Sequence, residues 1–117
     1  MCFETTKYSK LKRAKKDIPC WKILNKNYTP LFYKENSPYK SGVLNPIIEL
    51  IKIEEIIITD FPVFIYEGYH SYQMEKEAMA IVEKMHILFI VRKFIIPKDT
   101  LYYKNDTEYI SETIIMK

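Results

Sequence analysis

The 117-residue chain is of single-domain length, and with 48% apolar residues it has the composition of a folded protein, not a disordered one. Two glycines are too few for a glycine-rich phosphate or dinucleotide loop, and two cysteines supply no disulfide framework. The net charge of +3 is unevenly spread: residues 1–16 hold six Lys/Arg against one Glu, so the rest of the chain is mildly acidic.

That basic stretch lacks an apolar stripe and reads as an N-terminal arm over residues 1–16, ahead of one domain over 17–117. No apolar core follows its charges, so no secretory signal is expected. No apolar run approaches the roughly 18 residues that span a bilayer, so no membrane association is expected and the cytoplasm is the expected location. Residues 17–24 (DIPCWKIL) alternate as a strand does, with Ile18, Cys20 and Lys22 on one face and Trp21 and Ile23 on the other. Pro19 suits a strand start or an edge.

Residues 25–42 carry Asn, Pro, Ser and Tyr at loop density around a short apolar piece at 31–33. Over 45–53 (NPIIELIKI), Asn45 followed by Pro46 would suit a helix start, but the isoleucines favour a strand, which is the expectation. Residues 62–66 read as a further strand ended by Glu67-Gly68. Beyond it the period changes: Met74, Ala78, Ile81, Val82 and Met85 fall on one helical face. Residues 87–96 are a long strand stopped by Pro97, apolar enough in its first half for a central position. A short strand at 101–103, a turn at 104–107 and one or two strands over 108–116 close the chain. The expected fold class is α+β: a single compact domain, mostly antiparallel sheet, with one main helix over about residues 73–85.

The stretch YEGYHSYQ concentrates candidate site residues. Gly68 can take a positive φ and bend the chain, leaving Tyr69, His70, Ser71 and Tyr72 between that bend and the helix N-terminus, where unpaired amides favour an anion. An imidazole there could serve as acid, base or donor, and Lys22 could add charge. The plainer reading makes Ser71 a helix cap and His70 a packed ring. No metal centre is expected, because Cys2, Cys20, His70 and His86 have no ligand spacing, and no cofactor motif is present. Cys2 would become an N-terminal nucleophile only after loss of Met1, and Cys20 reads as a packing residue. Glu67, Glu108 and Glu112 could meet across a sheet. Lys7, Lys10, Lys12, Arg13, Lys15 and Lys16 form a candidate nucleic-acid surface. Isoleucine-rich edge strands would allow a homodimer.

The segments DIPCWKIL, EGYHSY followed by EKEAMAIV, and IPKDTLYYKNDTEYISETIIM resemble a pattern in small uncharacterised accessory proteins of phages and viruses. More distantly, the order of Trp21-Lys22, His70-Ser71 and Ser111-Glu112 resembles that of ADP-ribosyltransferases. That likeness implies a related shape with degenerate motifs. Lys22 stands where the family has an arginine, Ser71 lacks the Ser-Thr-Ser setting, and Ile110 replaces an acidic or glutamine residue. The first resemblance implies an accessory role without a mechanism; the lack of an intact catalytic motif beside the organised Gly-His-Ser-Tyr stretch and the charge-segregated leader makes a small binding protein, acting on a host protein or a small anionic ligand, the expected function. The second implies an altered transferase in which Glu112 would stabilise a cationic transition state and His70 would position substrate. A nucleic-acid-associated protein using the basic arm is the third reading.

Overall fold

The computed structural model describes residues 3–5, 10–29, 38–50, 52–53, 63–65, 68–85 and 89–117. Cys2, Lys7, Glu67, His86 and the apolar piece at 31–33 lie outside the described residues, as do parts of the strands expected over 45–53, 62–66 and 87–96. In chain order the elements are β1 (Phe3–Thr5), β2 (Lys12–Arg13), β3 (Ile18–Asn25), β4 (Lys52–Ile53), β5 (Val63–Ile65), β6 (Tyr69–Tyr72), α1 (Glu75–Met85), β7 (Phe89–Ile96), β8 (Leu101–Lys104), β9 (Glu108–Ser111) and β10 (Ile115–Met116). The fold is a single α+β domain, with a seven-stranded antiparallel sheet ordered β10-β7-β3-β6-β9-β8-β2 and a three-stranded sheet ordered β1-β5-β4.

β3 is the centre of the larger sheet. It pairs with β7 along its whole length, from Ile18 opposite Ile96 to Asn25 opposite Phe89. Residues directly opposite one another share a face, so Cys20 and Leu24 meet Phe94 and Ile90 on one side. Cys20, Leu24, Phe94 and Ile96 are fully buried there, in one core cluster with Ile114, Met116, Tyr39 and Tyr69. Tyr39 meets Phe94 edge to face, with ring centroids 5.0 Å apart. α1 packs on β7, β3 and β6, with Ala78 at its buried centre and Ile81, Val82 and Met85 half-buried beside it.

Gly68 has φ 134°, a backbone region that side chains rarely enter. A methyl group at this position would stand 2.5 Å from Cγ1 of Ile110 and 2.6 Å from Cδ2 of Leu50. The bend is therefore closed on both sides, and the chain leaves it directly into β6. Tyr69, His70, Ser71 and Tyr72 form this strand, with alternating burial, instead of a corner leading to the helix. The turn at 104–107 forms as expected: Oδ1 of Asn105 accepts from the amides of Thr107 at 3.0 Å and Glu108 at 2.7 Å.

Three segments differ from the sequence reading. Residues 45–50 are not a strand; among the described residues of that run, Lys52–Ile53 alone form one. Asn45 and Ile48 donate their amides to the carbonyls of Ile114 (3.2 Å) and Glu112 (2.8 Å), which pins the segment as an irregular strap. Pro46 between them has no amide to continue a ladder. The basic stretch is partly sheet, since β2 pairs with β8. α1 begins at Glu75, so Met74 lies outside the helix and is 46% exposed, off the buried face on which the spacing had placed it.

Candidate functional site

The pairing of β3 with β6 fixes where the expected site residues point. Trp21 lies opposite Tyr72, so Tyr72 and, two residues earlier, His70 share the face of Trp21. Ser71 and Tyr69 share the other face with Lys22. The stretch that reads as one cluster is thus split across the sheet. Glu112 is elsewhere, just past β9: its Oε1 accepts from the Leu101 amide at 2.9 Å, and its own amide donates to the Leu101 carbonyl at 3.1 Å. This carboxylate closes the end of the β8–β9 ladder.

On the inner face, Lys22 is only 6% exposed. Its Nζ donates to the carbonyl of His70 and stands 5.9 Å from the centre of the Tyr39 ring, within cation–π range. Burial lowers its pKa from the ordinary 10.5 to about 8, with Cys20 opposing the shift. Cys20 is pushed up to about 11 by burial, against smaller opposite effects of Ser71 and Lys22. At neutral pH the pair is therefore an ammonium beside a thiol, and no thiolate is poised for attack. Ser71 is 1% exposed, and its hydroxyl, beside that thiol, makes no well-formed hydrogen bond among the described residues. Tyr69 is buried and donates its hydroxyl to the Pro46 carbonyl at 2.7 Å, which ties the strap over 45–50 to the sheet.

On the opposite face, burial first and the Lys22 charge second bring the half-buried His70 down to about 3. The ring is neutral throughout the physiological range and is not set for proton transfer near neutrality. Burial, then Glu108 and Glu77, raise Tyr72 to about 12. Ser71 faces the other side of the sheet, and Tyr72 lies close enough to α1 to feel Glu77 of its first turn. The first turn there starts from the Met74 carbonyl, which accepts from Glu77 at 3.2 Å, and it already carries the carboxylates of Glu75 and Glu77. Two acidic side chains in a first turn complement the helix dipole and leave little attraction for an anion. Gln73 donates its backbone amide to the Thr107 carbonyl (2.9 Å) and its side-chain Nε2 to the Asn105 carbonyl (2.6 Å).

An open groove of about 710 Å³ beside α1 is lined by Trp21, Gln73, Met74, Met79 and Ala80 with the charged Glu75, Lys76 and Glu83. Met74 and Met79 are 46% and 42% exposed. Nζ of Lys93, across the ladder from Trp21, lies 6.0 Å from the indole centre. The sequence reading missed this surface. A signal was present in Met79, which falls off the apolar stripe of α1 and so must face outward.

The basic residues Lys10, Lys12, Arg13, Lys15 and Lys16 are exposed along β2 and its flanks, with Arg13 donating to the Asp99 carbonyl at 2.8 Å. Among the described residues no group of three or more His, Cys, Asp or Glu could hold a metal ion, and no helix is long and apolar enough to cross a membrane. The chain matches no protein-family model, no curated protein and no solved structure.

Proposed function

We propose that this chain is a small binding protein that takes apolar side chains of a partner protein into the groove beside α1. The observation that carries the reading is the pair of exposed methionines flanking the single tryptophan of the sequence. Exposed apolar patches of this kind mark interaction surfaces, and methionine adapts its shape to what it meets. The groove is open, which suits a protein segment better than a small enclosed ligand. Its lining holds Glu75 and Glu83 against Lys76, which works against a small anion. A transferase would need Lys22, His70, Ser71 and Glu112 around one opening. Their division between two faces and a ladder end supports binding over catalysis. This reading keeps the partner-binding role expected from the sequence and moves it to another surface.

The test is selection of short peptides from a random displayed library against the intact protein, followed by titration of the selected peptides. Apolar peptides should bind in the micromolar range and lose at least tenfold to Met79→Asp, a surface change whose circular dichroism should match the parent. Selection of no binding peptide, or equal binding to both proteins, would remove the groove from the account.

A further inference from the structure

We infer that the face formed by β2, β8 and β9 binds single-stranded nucleic acid, with Lys12 and Lys104 holding phosphates and Tyr102 and Tyr109 receiving bases. The register places these four side chains together. Lys12 lies opposite Tyr102, and Lys104 lies opposite Tyr109, so all four project from one face of three adjacent strands. The rings of Tyr102 and Tyr109 are 5.8 Å apart and meet at 82°, edge to face. This is the face that carries Tyr69 and Ser71 farther into the sheet; both tyrosines pack against the core and are half-buried, while Lys12 and Lys104 are exposed.

The cations are held in place on the sheet. Ala14, between Arg13 and Lys15, is 1% exposed and anchors the segment from both sides. Its amide donates to the Thr100 carbonyl at 2.9 Å, and its carbonyl accepts from the Asp99 amide at 2.8 Å. Lys10, Lys15 and Lys16 extend the positive edge, and Lys98 adds to it across the next turn. Of the carboxylates near this edge, Asp17 accepts from the Lys98 amide at 2.9 Å and Glu112 from the Leu101 amide at 2.9 Å. An ordered basic edge beside aromatic rings is what a flexible strand requires: phosphates bind by charge, and unstacked bases find a π surface. A duplex hides its bases and would use the lysines alone. This surface is separate from the groove beside α1, and either assignment can fail without the other.

Fluorescence anisotropy of the full chain with a labelled 15-nucleotide oligo-dT, and with a duplex of equal length, decides the matter. The single strand should bind more tightly than the duplex. Its affinity should fall with salt at a slope of about −0.7 per phosphate contacted, or about −2 for three contacts. Lys12→Gln with Lys104→Gln should weaken binding at least tenfold and flatten the slope. Tyr102→Leu, with unchanged melting temperature as its control, should weaken single-strand binding about fivefold and leave the slope as it was. No binding at 50 mM salt and 10 µM protein would overturn the inference. So would equal affinity for duplex, or for phosphatidylserine vesicles, with Tyr102→Leu without effect, since that pattern belongs to a generic polyanion surface.

Discussion

The two sides of β3 are built differently. Toward β7 the ladder is continuous, and the inward residues Cys20, Leu24, Phe94 and Ile96 make a dry apolar layer. Toward β6 the register is the single pair Trp21–Tyr72, and the side chains at this seam include Lys22, Ser71 and His70. The buried lysine bridges this seam, since its Nζ donates from β3 to the His70 carbonyl of β6. Polar residues that look catalytic in a list of residue types serve here to tie two strands of a sheet together.

Mutation of one residue on each side tests the contrast most strongly. Phe94→Ala, at a fully buried position opposite Cys20, should cost about 3–5 kcal/mol in urea unfolding. Ser71→Ala removes a buried hydroxyl with no well-formed partner among the described residues and should stay within about 1 kcal/mol of the parent. Equal losses would mean that the seam is packed as tightly as the ladder.

The next effect is acid sensitivity. The folded protein holds His70 at about 3, below its ordinary 6.5, so the unfolded chain takes up a proton first as pH falls. Stability contributed by the neutral ring is present above about pH 6.5 and is lost progressively toward pH 3. For a half-buried ring this amounts to about 3 kcal/mol by pH 4, read as the difference in pH dependence between the parent and His70→Gln. Parallel curves for the two proteins would place the imidazole in ordinary solvent.

The smallest effect lies on the alkaline side. Lys22 releases its proton near 8 when folded and near 10.5 when unfolded, so its contribution makes stability rise with pH across that window. Cys20 acts oppositely between 9 and 11, since the folded state keeps the thiol proton longer. The net result is a rise of less than about 1 kcal/mol between pH 8 and 9, followed by near cancellation. Lys22→Met should abolish the rise, and Cys20→Ala should extend it toward pH 10.5. A parent protein that only loses stability above pH 8 would contradict the buried amine.

Much of the architecture was legible because it follows from short-range periodicity. α1, β3, β7 and the turn at Asn105 each repeat a pattern that one segment can display alone. β6 was not legible. Its inward positions are Tyr69 and Ser71, and a serine facing inward breaks the alternation by which a half-buried strand is recognised. Its place depends on Lys22, 48 positions away in the chain, which no local window contains. The isoleucines over 47–53 misled in the opposite direction. β-branched residues favour extended chain, but the strap over 45–50 is fixed by bonds to 112–114 that local propensity cannot register. The candidate site failed to assemble for the same reason. Adjacent residues in a strand face opposite ways, so the closeness of His70 and Ser71 in sequence separates their side chains in space.

Gly68 binds three distant positions into one steric unit. The space that a side chain at 68 would fill is already occupied by Ile110 from β9 and Leu50 from the strap. A lineage that placed alanine there would need a smaller residue at 110 or 50 in compensation, and a positive φ would still oppose it. Drift at these three sites should therefore be correlated, and glycine at 68 should be the last of them to change.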